Sequence, residues 1–121
     1  MSGRLTTHVL ELSGGRPAAG MRVALYRMTP EGAVKLREAT TNADGRLDAP
    51  LLAGGDLLAG TYELVFFDVG DWYSARQTAG GASVPTFLEQ VPVRFRIADG
   101  QEHYHVPLLV APGGYSTYRG S

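Results

Sequence analysis

What most limits the folds open to this chain is its punctuation. Short apolar or β-branched segments follow one another from end to end, each closed by residues that break regular structure. Leu5–Leu12 is rich in Leu, Val and Thr and stops at Ser13-Gly-Gly-Arg-Pro17. Arg22–Met28 alternates, with Val23 and Leu25 on one face and Arg22, Ala24 and Tyr26 on the other. Val34–Thr41 follows the Pro30-Glu-Gly32 turn and ends at Asn42-Ala-Asp-Gly45, where Asp and Gly accept the positive φ that tight turns require. Gly60–Val69 is the most apolar segment, and Val91–Ala98 turns through Asp99-Gly100 into Glu102–Val110. A last strand is expected at Tyr115–Arg119.

This rhythm leaves little room for helix. About seven or eight short strands at such spacing predict an all-β fold, an antiparallel β-sandwich. One short helix is expected at Asp71–Thr78, with Asp71 as its N-cap. Leu51–Leu58 is apolar but interrupted by glycine, so it is either a loop or a short helical turn, and Ala79–Pro85 is expected to be an exposed loop. With 121 residues and no linker-like tract, a single domain over 1–121 is expected, large enough to bury a core unaided.

Composition narrows the function classes. Without cysteine, the chain has no disulfide framework and no thiol nucleophile. A net charge of −1 gives no case for nucleic acid or an anionic membrane as partner. No apolar run approaches the roughly 20 residues that span a bilayer. The first residues lack the apolar centre of a secretory signal, and Arg119-Gly-Ser121 is not a peroxisomal tripeptide, so the expected compartment is the cytoplasm. The acidic residues are scattered, no serine sits in Gly-x-Ser-x-Gly, and no glycine-rich loop has phosphate-binding spacing.

Histidine and arginine remain. Strand alternation puts His8 with Thr6 and Leu10, and His105 with His103, Pro107 and Leu109. A histidine on a covered face is commonly a core group satisfied by one hydrogen bond; it is also the side chain that most readily moves a proton near neutral pH. His103-x-His105 with His8 is also a permissive zinc set. Arg46 closes the Asp44-Gly45-Arg46 turn, either as a solvated loop residue or as a cation held toward a polarised carbonyl. The end of the chain, Tyr115-Ser-Thr-Tyr-Arg-Gly-Ser121, follows a core-like strand almost directly and is rich in groups able to make contacts, unlike an ordinary frayed terminus.

Three pieces occur in order: Leu5-Thr-Thr-His8-Val-Leu10, Thr41-Asn-Ala-Asp-Gly-Arg46, and His103-Tyr-His-Val-Pro-Leu-Leu109 with Gly114-Tyr-Ser-Thr-Tyr-Arg-Gly-Ser121. Together they closely resemble the 5-hydroxyisourate hydrolase family, the transthyretin-related enzymes of urate breakdown. Arg16-Pro-Ala-Ala-Gly-Met-Arg-Val-Ala-Leu25 and Gly60-Thr-Tyr-Glu-Leu64 extend the likeness over nearly the whole chain. Departures fall in Leu52–Leu58, in Ala79–Leu88, and at Trp72-Tyr73, where Tyr-Phe is more usual. The resemblance implies a transthyretin-like sandwich and a homotetramer, a dimer of dimers with active sites where subunits meet. It implies metal-free, cofactor-free hydrolysis of a cyclic amide. The reactive groups carry over to His8, Arg46, His105 and the tail Tyr118, Arg119, Gly120 and Ser121. His8 and His105 are implied to activate water, Arg46 to orient the substrate and steady the oxyanion, and Ser121 to orient an imidazole. Tyr118, Arg119 and Gly120 are implied to hold the tail and the substrate edge; His103 matches the family without a central role. A rival from another class is a carrier holding small aromatic ligands in the channel of a transthyretin-like tetramer.

Overall fold

The structure, a computed structural model, describes residues 3–76 and 86–120. In chain order the strands are β1 (Arg4–Glu11), β2 (Arg16–Pro17), β3 (Arg22–Thr29), β4 (Gly32–Thr40), β5 (Leu52–Ala53), β6 (Gly60–Phe66), β7 (Val91–Ile97), β8 (Tyr104–Ala111) and β9 (Gly114–Thr117), with one helix, α1 (Val69–Arg76), after β6. They form two sheets. One runs β2-β1-β8-β9, with β5 also pairing with β1; the other runs β4-β3-β6-β7.

Alternation in β1 explains its place. Leu5, Thr7, Val9 and Glu11 are buried, whereas Thr6, His8 and Leu10 lie on the opposite, half-exposed face. The inner faces of both sheets meet in one cluster whose largest fully buried side chains include Tyr62, Phe66, Leu5, Met21, Leu25 and Leu64. Each contributes about 1.5–3 kcal/mol relative to exposure, so the cluster holds the sheets together. Tyr104 spends its hydroxyl as an acceptor for the Ala98 and Asp99 amides at 3.0 and 3.1 Å, which pins the β7–β8 turn to the core.

The sandwich is not antiparallel throughout. β1 and β8 pair in parallel, with Leu5 opposite Tyr104, Thr6 opposite His105 and His8 opposite Pro107. Parallel neighbours need a long crossover, and here the whole second sheet supplies it. The helix also differs from the expected Asp71–Thr78. It opens at Val69 because the Asp68 carbonyl accepts the Trp72 amide at 2.7 Å, so Asp71 lies in the first turn and is not the cap. Asp68 turns its carboxylate to the Arg22 backbone and guanidinium, at 2.9 and 3.3 Å. Leu51–Leu58 holds the short strand β5 and a single 3₁₀ turn at Gly54–Asp56. The loop expected at Ala79–Pro85 and the end of the expected helix lie outside the described residues.

Glu11 ties three elements together. Its buried carboxylate accepts the Ser13 and Gly14 amides of the β1–β2 turn and the Tyr73 hydroxyl of α1. Burial pushes this carboxyl up, but the hydrogen bonds outweigh it and hold it below its ordinary 4.5; burial and the same carboxylate push the Tyr73 phenol up. Tyr73→Phe should cost about 1.5–3 kcal/mol in urea denaturation at neutral pH, the range for a hydrogen bond to a charged group. Because the folded Glu11 pKa lies below the unfolded one, this stabilisation is present above pH 4.5 and is lost as pH falls through the lowered value. The gap between wild type and Tyr73→Phe should therefore narrow in acid, where the Val110 carbonyl still accepts the Tyr73 hydroxyl at 3.1 Å.

Candidate active site

The outward face of the β1–β8 pair carries the first two groups. Register sets Thr6 opposite His105, and Thr6 Oγ1 lies 2.8 Å from His105 Nδ1. His8, one alternation along β1, faces the same side; its ring centroid is 6.5 Å from that of His105, with the planes at 37°. With one ring nitrogen held by Thr6, His105 has Nε2 left for chemistry. A threonine hydroxyl both donates and accepts, so it suits either tautomer.

Arg46 arrives on the turn after β4. Thr41, buried, anchors the start of that turn: its hydroxyl donates to the Ala18 carbonyl at 2.6 Å and accepts the Met21 amide at 2.9 Å. Gly45 then approaches β1 so closely that the Val9 amide donates to its carbonyl at 2.8 Å, and His8 and Arg46 become bridge partners. Only glycine serves here. Its φ is +73°, and a Cβ would lie 2.4 Å from the Val9 carbonyl oxygen.

The tail continues the β8–β9 register past the end of β9. Leu108 pairs with Thr117, and the same antiparallel alignment brings Gly120 opposite His105, where its amide donates to the His105 carbonyl at 2.8 Å. A Cβ on Gly120 would fall 2.7 Å from the His105 ring, so the bare backbone packs on the imidazole. Alternation turns Tyr118 toward the cleft and Arg119 away from it. The Arg119 guanidinium donates to Glu102 Oε1 at 2.9 Å and to the His103 carbonyl at 2.8 Å, and lies 4.2 Å over the Tyr104 ring.

His8, Arg46, His105 and Tyr118 thus line one open cleft of about 670 Å³, which His103 also reaches. Gly120 backs it, Arg119 lies outside its lining, and Ser121 lies outside the described residues. Thr6, also in the lining, carries no functional signal in its residue type; the signal for it is the cross-strand register, which only the fold supplies. Among the described residues no three His, Asp or Glu side chains are grouped so as to hold a metal ion.

Burial and the nearby charge of Arg46 bias the imidazoles toward neutrality. Burial and the Arg46 guanidinium lower His8 below 6.5, partly opposed by a hydrogen bond to the Asp44 backbone and by the Asp44 charge. Burial, Arg46 and His8 lower His105. The cleft therefore presents two neutral imidazoles beside a fixed cation, a set able to take a proton from water and to steady negative charge on an oxygen. In an NMR titration both rings should show midpoints below 6.5, and Arg46→Gln should move both upward. Unmoved midpoints would remove Arg46 from the electrostatics of the pair. Thr6→Val should change the tautomer balance of His105 while leaving that of His8 in place.

A model of the HIUase/Transthyretin family matches residues 5–120. Over 120 residues the chain is 53% identical to the protein named 5-hydroxyisourate hydrolase 2 of Rhizobium meliloti (strain 1021), covering 99% of this chain and 98% of that one. It superposes on the 5-hydroxyisourate hydrolase of Klebsiella pneumoniae with a TM-score of 0.78 at 39% identity, over 98% of this chain and 99% of that one. A crystal structure of (S)-allantoin synthase matches with a TM-score of 0.87 at 45% identity, over 99% of this chain but 44% of the longer one. Two sheets, three motifs in register and likeness along the full length agree, and the chain belongs to the HIUase/Transthyretin family.

Proposed function

We propose that this chain is a 5-hydroxyisourate hydrolase of purine catabolism, which opens the cyclic amide to give 2-oxo-4-hydroxy-4-carboxy-5-ureidoimidazoline. The observation that carries this is the convergence of two imidazoles of lowered pKa and one guanidinium on a single cleft. Relatives of that name at about half identity over their full length support it.

Water attacks a ring carbonyl and loses its proton to an imidazole of the His8–His105 pair. The carbonyl oxygen becomes an oxyanion, and Arg46 stabilises it and aligns the flat substrate. The carbon–nitrogen bond then breaks, and the leaving nitrogen takes the proton back from the imidazolium. The two ring centroids stand 6.5 Å apart on one side of the cleft. Thr6 keeps Nδ1 of His105 engaged throughout, so the proton moves at Nε2. Tyr118 borders the substrate, Gly120 keeps the tail flat against His105, and Arg119 clamps the tail from behind. Ser121 would orient an imidazole through its hydroxyl or carboxylate. The reaction needs no metal or cofactor.

The working form is a homotetramer, a dimer of dimers of one domain each over 1–121, in the cytoplasm. Two features support the assembly. The cleft is open on a single chain, and among the described residues β7 and β9 each leave one sheet edge unpaired beside a shared groove. No helix among the described residues is long and apolar enough to cross a membrane.

The test is the ultraviolet decay of freshly made 5-hydroxyisourate above its spontaneous rate. Wild type should accelerate the decay strongly and remain active with a chelator. His105→Ala and Arg46→Ala should each lower kcat by at least roughly tenfold with the fold intact. No acceleration by folded protein would reject the assignment. The rate should fall as pH drops through the lowered histidine values, so its acid limb should sit below 6.5.

A further inference from the structure

Arg46 does its work from a turn, and turns are held by few contacts. In this one Asn42 supplies most of them, through its side chain and its backbone. Asn42 Oδ1 accepts the Asp44 amide at 2.9 Å and the Arg46 amide at 3.1 Å. The Asn42 amide donates to the Arg46 carbonyl at 2.7 Å, and its carbonyl accepts the Gly45 amide at 2.9 Å. Its side-chain Nδ2 donates to Asp48 Oδ1 at 3.0 Å, beyond Arg46. Both backbone polar groups of Arg46 are therefore held by Asn42, while the side chain of Arg46 is free to point into the cleft.

We infer that Asn42 is a positioning residue for the reaction, acting through Arg46: its side-chain oxygen fixes the backbone from which the guanidinium reaches the cleft. Asparagine suits the position because its short amide spans to the backbone two and four residues on without a turn of helix. Alanine would leave the Asp44 and Arg46 amides to water and let the turn rotate. A misplacement of about 1 Å at such a group can cost up to about a hundredfold in rate. The inference rests on the proposed hydrolysis for its kinetic consequence, but not for its structural one, since the place of Arg46 is also reported by the imidazoles it faces. Those imidazoles see Arg46 and Asp44 on the turn and one another across β1 and β8; Arg4, Asp48 and His103 also line the cleft.

The experiment compares wild type, Asn42→Ala, Asn42→Ser and Arg46→Gln by kcat, KM and histidine NMR titration. Serine keeps an oxygen that reaches the nearer amide more weakly. Asn42→Ala should lower kcat by about tenfold to a hundredfold, more than it changes KM, and should move the His8 and His105 midpoints toward those of Arg46→Gln. Asn42→Ser should fall between alanine and wild type in both readouts. Wild-type kcat and midpoints in folded Asn42→Ala would overturn the inference, as would a loss of kcat with unmoved midpoints. If alanine does not fold, serine carries the test, and wild-type values there overturn it. If no variant, wild type included, hydrolyses the substrate, the functional assignment fails while the midpoints still decide the role of Asn42.

Discussion

The parallel pairing of β1 with β8 is the contact from which the rest of the molecule follows. It joins segments about a hundred positions apart in sequence, as the Thr6–His105 contact shows with its separation of 99 residues. Its inner face supplies Leu5, Val9, Val106 and Leu108 to the core. Its outer face brings His8, Thr6 and His105 together. β9 and the tail are then added to β8 in the same antiparallel alignment, which delivers Gly120 to the imidazole. Slipping either strand by one residue would turn its histidine inward and its core leucine outward, so the site and the core are specified by one register.

On this frame the chemistry is electrostatic. Burial and a neighbouring guanidinium both favour the neutral form of the two imidazoles, and in the proposed reaction the same cation would meet the charge that develops on the carbonyl oxygen. Under that proposal one residue would serve both the start and the middle of the reaction. The turn that carries it is built with little tolerance: Thr41 is anchored in the core, Gly45 touches β1, and Asn42 closes the hydrogen bonds between them.

Much of this is written locally. Strand alternation alone separates Leu5, Thr7 and Val9 from Thr6, His8 and Leu10, and the turn residues mark where segments stop. The histidines, Arg46 and the tail stand out by residue type and by likeness to a family. What local pattern lacks is partnership. Alternation says which way His105 points but not that β1 lies beside it in parallel, so Thr6 carries no signal of its own. Residue type points to Asp71 as the cap, but the helix starts earlier, where the Asp68 carbonyl accepts the Trp72 amide while the Asp68 carboxylate is engaged by Arg22. Arg119 is the reverse case. Its alternation with Tyr118 already turns it from the cleft, and only the family likeness draws it toward the substrate.

The span between β1 and β8 has a consequence for the order of events during synthesis. β1 leaves the ribosome while its future neighbour is still untranslated, so its hydrogen-bonding edge waits for the second sheet to emerge before β8 can meet it. Long-range pairing of this kind forms late. A chain interrupted anywhere before His105 can make most of the second sheet but holds only half of a proton-transfer pair. Under the proposed mechanism partial products of translation would be inert, and the same late strand that completes the core would also complete the site.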